Sequence, residues 1–215
     1  MKKMNSLGWL FVLPLLYSCA SSQAGSDILA GRQALLINKP DVALTHFQRA
    51  AEMDPNFVMG FGVFQEGVWT YVGRANYATG KLPEARQALE RALSRYQDDY
   101  LARLYLGLVV ARDGDRQRGL KEIESGMRGI YDWLEHIAYN TFYGQFWDPR
   151  REIRSEIQRG LAMISGKDID WQKLIASGEW VGAKMEDEID RARRDEINER
   201  EMRMTSARRK GGKHS

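Results

Sequence analysis

Ala85, Gly119 and Ile153 stand 34 residues apart, and so do Leu89, Ile123 and Ile157. The same step relates Ala92, Gly126 and Gly160, and again Leu93, Met127 and Leu161. Four columns in register over three copies make an internal repeat, and a period of this length restricts a chain to architectures built by stacking one supersecondary unit on the next. An earlier copy sits at Ala43, Phe47, Ala50 and Ala51, displaced from the second by 42 residues. Within a copy the apolar steps are 4 and 3, the spacing of one helical face. One such unit cannot cover its own apolar face, so the fold must draw its core from neighbour contacts.

Gly80 and Gly114 each precede one of these helices, where a preceding helix must stop and a backbone outside the normal φ range is useful. The second copy reads Trp69-x2-Val72-Gly73-x2-Asn76-Tyr77-x2-Gly80-x4-Ala85-x3-Leu89-x2-Ala92-Leu93. The first contributes Ala43-x3-Phe47-x2-Ala50 with Asp54-Pro55, and the third Leu106-Gly107, Gly114 and Gly119-x3-Ile123. This pattern resembles the tetratricopeptide repeat family. The resemblance implies an all-α, right-handed superhelical solenoid of antiparallel helix pairs, with copies at about 27–56, 57–99, 100–133 and a degenerate 134–166 in which Thr141, Gly144 and Asp148 take the small and turn columns. The eight additional residues between copies one and two carry Phe57, Phe61, Phe64, Val68 and Val72 at steps of 4, 3, 4 and 4. That stripe predicts a helix from about Phe57 to Ala78, roughly two turns longer than usual. Gly60, Gly62 and Gly67 weaken it by up to about 1 kcal/mol each, and a protruding loop is the alternative.

Downstream, Asp148-Pro149 has the form of a helix start, followed on one face by Ile153, Ile157, Leu161 and Ile164 and ended by Gly166. Asp170 is placed to cap another helix, with an inner stripe of Trp171, Leu174, Gly178, Gly182, Met185, Ile189 and Ala192. Gly178 and Gly182 would admit close packing on the preceding helix. Residues 167–202 thus read as the capping, then charged, helix that a solenoid end requires. Residues 203–215 hold five basic residues and no acid, which predicts a disordered tail.

The 215 residues carry a formal charge of only +3, with one Cys and three His. A balance so near neutral argues against a dedicated nucleic-acid binder, and these Cys and His cannot build a disulfide framework or a Cys/His zinc site. His46 falls on a column expected to face solvent, His136 lies in an aromatic helix and His214 in the tail. None has a nucleophile or paired carboxylate at recognisable spacing, and Glu186 with Glu188 reads as a solvated face. The sequence therefore predicts no enzyme, no cofactor and no metal.

Lys2 and Lys3 precede an apolar run from Leu7 to Leu16, too short to span a bilayer but right for a signal peptide. The ending Leu16-Tyr17-Ser18-Cys19 resembles the lipobox of bacterial lipoproteins. That resemblance implies removal of residues 1–18, diacylglycerol on Cys19, a short tether over 19–26 and, with Ala at position 20, sorting to the periplasmic face of the outer membrane. Two or three acyl chains anchor stably.

The repeat resemblance also implies a concave groove for a protein or peptide partner. Its lining positions fall on Arg32, Arg74, Leu108 and Phe142 and, one turn on, Leu35, Tyr77, Gln145 and, beside Ala111, Arg112. Three Arg would fork onto ligand carboxylates while apolar side chains pack on Leu108 and Tyr77. The aromatic run Tyr131, Trp133, Tyr139, Phe142, Tyr143, Phe146 and Trp147 reads mostly as core, with some rings exposed for a partner, since adjacent helical residues point about 100° apart. The basic tail is matched to anionic lipid or to no target. The leading expectation is a lipid-anchored envelope scaffold; the alternative is a small-molecule-binding or transport-accessory lipoprotein with a pocket walled by those aromatics.

Overall fold

A computed structural model describes residues 12–61 and 64–211, with side chains for 21–60 and 64–205. The chain is helical in the order α1 (Val12–Leu36), α2 (Pro40–Met53), α3 (Val68–Ala78), α4 (Leu82–Arg95), α5 (Tyr100–Arg112), α6 (Arg116–Asn140), α7 (Glu152–Ile164) and α8 (Trp171–Gly211). Two short strands, β1 (Val58–Phe61) and β2 (Phe64–Gly67), pair between α2 and α3, and a 3₁₀ turn spans Phe142–Phe146. The helices fall into two compact units, Met1–Met59 with Glu66–Tyr96 and Gly60–Gln65 with Gln97–Ser215. The all-α class read from the repeat is the class observed, in antiparallel helix pairs.

Each pair closes through the same two columns. A Cβ placed on Gly31 would fall 2.3 Å from the Phe47 ring, one on Gly73 2.5 Å from Leu89 Cγ, and one on Gly107 2.5 Å from the Ile123 backbone nitrogen. The helices therefore approach to a distance that only glycine permits at these positions, and Phe47, Leu89 and Ile123 are completely buried in return. The turn between the two helices of a pair is equally regular. Asn38, Gly80, Gly114 and Asp148 all have positive φ, of 55, 76, 100 and 45°, and all stand in one repeat column. At the first two, the next residue's N–H returns to the helix (Lys39 to Ala34 O, Lys81 to Asn76 O), which satisfies carbonyls that a helix end leaves open. Glycine fills this column where the sequence was legible; Asn and Asp, the other residues that tolerate left-handed backbone, fill it elsewhere.

In the first unit, α1 packs on α2 and α3 on α4, with α3 also against α2. Ala24, Ile28, Leu44, Phe47, Val68 and Tyr71 form the centre of this core. Two expectations are corrected. The stretch 19–26 is not a tether: α1 runs through it, Ala24 is buried, and the Ser21 hydroxyl donates to Asp54 at 2.9 Å. The helix expected from Phe57 begins only at Val68. Three glycines remove the helical preference from the segment before it, and its Val and Phe residues suit a pleated strand. Along β2 the burial alternates, with Phe64 and Glu66 in and Gln65 out.

In the second unit α5 is apolar around its circumference, and it is buried around its circumference too, packed by α6 and α8. Gly126 and Gly129 keep α6 close to α5: added Cβ atoms would lie 2.5 Å from Leu104 N and 2.0 Å from the Tyr100 ring. Gly178 and Gly182 of α8 make their close approach to α5 (Leu108 and Tyr105), not to the preceding helix α7. The boundary expected at 133/134 is absent, because α6 continues to Asn140. The fourth copy keeps its second helix, α7, but its first is reduced to the end of α6 and the 3₁₀ turn. The helix start at Asp148-Pro149 is also displaced. α7 begins at Glu152, and Asp148 caps it from a distance, its carboxylate accepting from the N–H groups of Ile153 and Arg154, both at 3.1 Å. Asp170 caps α8 as expected, accepting from Lys173 N. α8 then continues through Gly211, so the tail expected to be disordered from 203 is helical to that point; residues 212–215, with His214, lie outside the described residues.

Candidate partner-binding surfaces

Of the four groove candidates in the first unit, three are buried. Arg32, Arg74 and Tyr77 are 2, 3 and 7% exposed, and Leu35 is half-buried. Arg74 was expected to meet a ligand carboxylate; it meets one supplied by the chain. Its Nη1 donates to Glu66 Oε1 at 2.8 Å, both side chains are sequestered, and the guanidinium lies 5.9 Å from the Tyr71 ring centre. Glu66 was overlooked because its segment was read as a helix, on which its inward position had no meaning. The period-2 burial of β2 is what aims it at Arg74.

The second unit divides differently. Leu108 is fully buried beneath Gly178 and is removed from any partner. Arg112 is exposed and pairs with Glu179 at 2.5 Å. Gln145 and Phe142, on the 3₁₀ turn, are open to solvent, Phe142 by 51%, and Tyr139 just before them by 76%. Arginines of α8 lie along this aromatic turn: Arg203 is 4.1 Å from the Phe142 ring centre, and Arg200 is 5.2 Å from that of Tyr143, with its Nε donating to the Tyr143 hydroxyl. Such cation–π contacts are worth about 0.5–1 kcal/mol at exposed sites.

The inner part of the aromatic run is core. Trp147 is buried, with Trp133 edge-on at 5.0 Å and Phe64 stacked at 6.0 Å. The cavity bordered by Phe64, Trp133 and Ile130 has only about 70 Å³, far under the ~300 Å³ at which small-molecule pockets begin. No ligand chamber is walled by these rings.

Glu186 and Glu188, expected to be solvated, are 3 and 8% exposed. Glu188 accepts from the Asp148 backbone N–H and from Arg191, which also reaches the Phe146 carbonyl and, at 2.9 Å, Asp195. Arg154, itself buried, holds Asp148 through Nε at 3.0 Å and Glu135 through Nη1 at 2.8 Å. These charges fix the loop between the 3₁₀ turn and α7; they are spent on structure. Among the described residues no group of three or more His, Cys, Asp or Glu is arranged to hold a metal.

His46 is not simply solvent-facing. Its Nδ1 lies 2.8 Å from Asp27 Oδ1, which also takes Arg49 Nη2 at 2.5 Å. Burial alone pushes the Asp27 carboxyl up, but the hydrogen bonds from His46 and Arg49 outweigh it and hold the group below its ordinary 3.8. A lowered carboxyl contributes stability that is present above the unfolded value and disappears as pH falls through the folded one. Asp27→Asn should therefore cost thermal stability at neutral pH, and the gap in melting temperature from the wild type should close as the pH is taken below 3.8; a gap that persists at pH 2 would contradict this.

The first unit also contains an open cleft. α2 and α4 form its walls and α3 its floor, through Gln48, Ala51 and Glu52, then Glu84, Gln87, Ala88 and Arg91, then Trp69, Val72 and Asn76; it holds about 440 Å³. Trp69 is fixed by its indole N–H, which donates to the Pro55 carbonyl at 2.8 Å, and the Arg91 guanidinium lies 3.7 Å above the ring. Nothing in the repeat columns marks this cleft; it exists because Ala51, Ala88, Val72 and Asn76 are short where the three helices converge.

Residues 73–125, from the middle of α3 into α6, match the model of a family described as tetratricopeptide repeat. No curated protein and no solved structure matches the chain.

Proposed function

Since this chain carries tetratricopeptide repeats and belongs with that family, we propose that it is a non-enzymatic scaffold for a protein partner, held at a bacterial cell envelope by lipid on Cys19. The coarse part, a protein-interaction scaffold, follows from the repeat itself. The observation that carries the finer reading is the exposed aromatic face of the 3₁₀ turn, Tyr139 and Phe142 with Gln145 beside them. Aromatic side chains present large, rigid contact area and dominate protein interfaces, and a ring half exposed beside a second ring three-quarters exposed has no folding role that requires it to be there.

The envelope address rests on Lys2, Lys3, the apolar run to Leu16 and the Leu16-Tyr17-Ser18-Cys19 ending. Residues 1–11 lie outside the described structure, as does the Cys19 side chain. No described helix is long and apolar enough to cross a membrane. The proposed location is the periplasmic face of the outer membrane.

Two measurements test these parts separately. Intact mass of the membrane-extracted chain should show loss of residues 1–18 and a diacylglycerol adduct on Cys19; an unmodified Cys19 removes the anchor. Recovery of partners from detergent-solubilised envelope should fall sharply for Tyr139→Ala with Phe142→Ala, because both side chains are exposed and the fold does not depend on them. Undiminished recovery by that folded double variant removes the aromatic face.

A further inference from the structure

The cleft between α2 and α4 contains more hydrogen-bonding capacity than the protein uses. Glu52 and Glu84 line it, and neither carboxylate takes part in an ion pair or side-chain hydrogen bond among the described residues; the same is true of Gln48 and Gln87. Arg91 is spent only on the face of Trp69, which leaves the N–H edge of its guanidinium available. Two carboxylates against one guanidinium make the cleft acidic in balance, and the guanidinium is held flat against one side. Its floor is apolar and shallow: Ala51 and Ala88 are buried, as is Val72.

We propose that this cleft receives an extended basic peptide segment of a partner protein, on a surface independent of the aromatic face. The volume suits two or three residues of chain, within the ~300–1,000 Å³ of ordinary ligand sites. A lysine or arginine side chain enters between Glu52 and Glu84, where two acceptors of one sign meet it in charge-assisted hydrogen bonds. The backbone is read by groups of both kinds: Gln48 and Gln87 donate and accept, and Arg91 donates from its edge to peptide carbonyls while its face remains on the indole. Small side chains of the segment rest on Ala51, Val72 and Ala88. An acidic peptide meets the opposite situation, since each of its carboxylates faces Glu52 or Glu84 at the cost of like-charge repulsion. A helical ligand would not expose its backbone amides to the two glutamines, so an extended one is favoured.

The test uses the full chain in detergent and two fluorescein-labelled probes, an alternating Lys-Ala octapeptide and its Glu-Ala counterpart, with affinity read by anisotropy at low salt. The Lys-Ala probe should bind and the Glu-Ala probe should not. Glu52→Gln with Glu84→Gln should weaken the Lys-Ala probe by about tenfold or more, the worth of a charge-assisted hydrogen bond, whereas Glu152→Gln with Asp187→Asn, the same charge change on exposed residues of the other unit, should leave it within about twofold. All four substituted side chains are solvent-accessible, so folding is retained. Absence of binding by the Lys-Ala probe, equal binding of the two probes, or equal weakening by the two double variants would each overturn the proposal. Loss of partner recovery on the aromatic face leaves these readouts unchanged, so the two surfaces fail separately.

Discussion

Gly107→Ala is expected to destabilise the second unit by about 3 kcal/mol, the upper end of what overpacking costs. The added methyl carbon would sit 2.5 Å from the backbone nitrogen of Ile123 and 3.0 Å from the carbonyl carbon of Glu122. Backbone cannot rotate away as a side chain can, so α5 and α6 must separate. That displaces Ile123 from a fully buried position and moves Gly126 off Leu104, where the same two helices meet again at 2.5 Å. Gly60→Ala is the control: a Cβ there meets nothing within 4 Å. Urea unfolding of the two variants should show a large loss for the first and a change within about 0.5 kcal/mol for the second. Equal stability of the two would mean that the helices are not held at the observed distance.

Arg74→Met should be the other severe substitution, at about 3–5 kcal/mol, because it strands a carboxylate in the interior. Glu66 is wholly inaccessible and Arg74 nearly so, and neither can exchange its partner for water. The physical cause is desolvation, so it has a signature that simple loss of packing lacks. Glu66→Leu in the same chain removes the stranded charge and should recover most of the loss, since well-packed apolar replacements for a buried pair are often close to neutral. Unfolding measured on the two single variants and the double would resolve this as a strong coupling. Additive losses would mean that the pair contributes through shape alone. The result also bears on partner binding: a residue whose removal unfolds its unit is unsuited as a probe of a ligand groove.

What the sequence disclosed and what it concealed follow a physical division. The columns Ala85, Leu89 and Ala92 and their counterparts were visible because helix-on-helix packing repeats at fixed spacing and demands one residue size at each place. The left-handed turns were visible only where glycine fills them; Asn38 and Asp148 adopt the same backbone under residue types that also serve elsewhere. The segment 57–67 deceived because Phe57, Phe61, Phe64 and Val68 have helical spacing by coincidence, while the decisive contact, Glu66 with Arg74, depends on which face of a strand a residue occupies. The groove candidates were assigned from position in a repeat, which says what points inward from a helix but not what else the chain lays over it. Arg32, Arg74, Tyr77 and Leu108 are buried for that reason, whereas Phe142 and Gln145 remain open because the helix that should carry them has shortened to a 3₁₀ turn. The Trp69–Arg91 cleft left no trace in the columns, since it is defined by short side chains on three helices and not by a repeated one.

The absence of slack behind Cys19 has one more effect. Ser21 already holds Asp54, and two residues of chain reach about 7 Å. With acyl chains on Cys19, the first helix pair would be moored against the lipid headgroups with no leash to swing on, so any client would have to be one that itself lives at the bilayer surface.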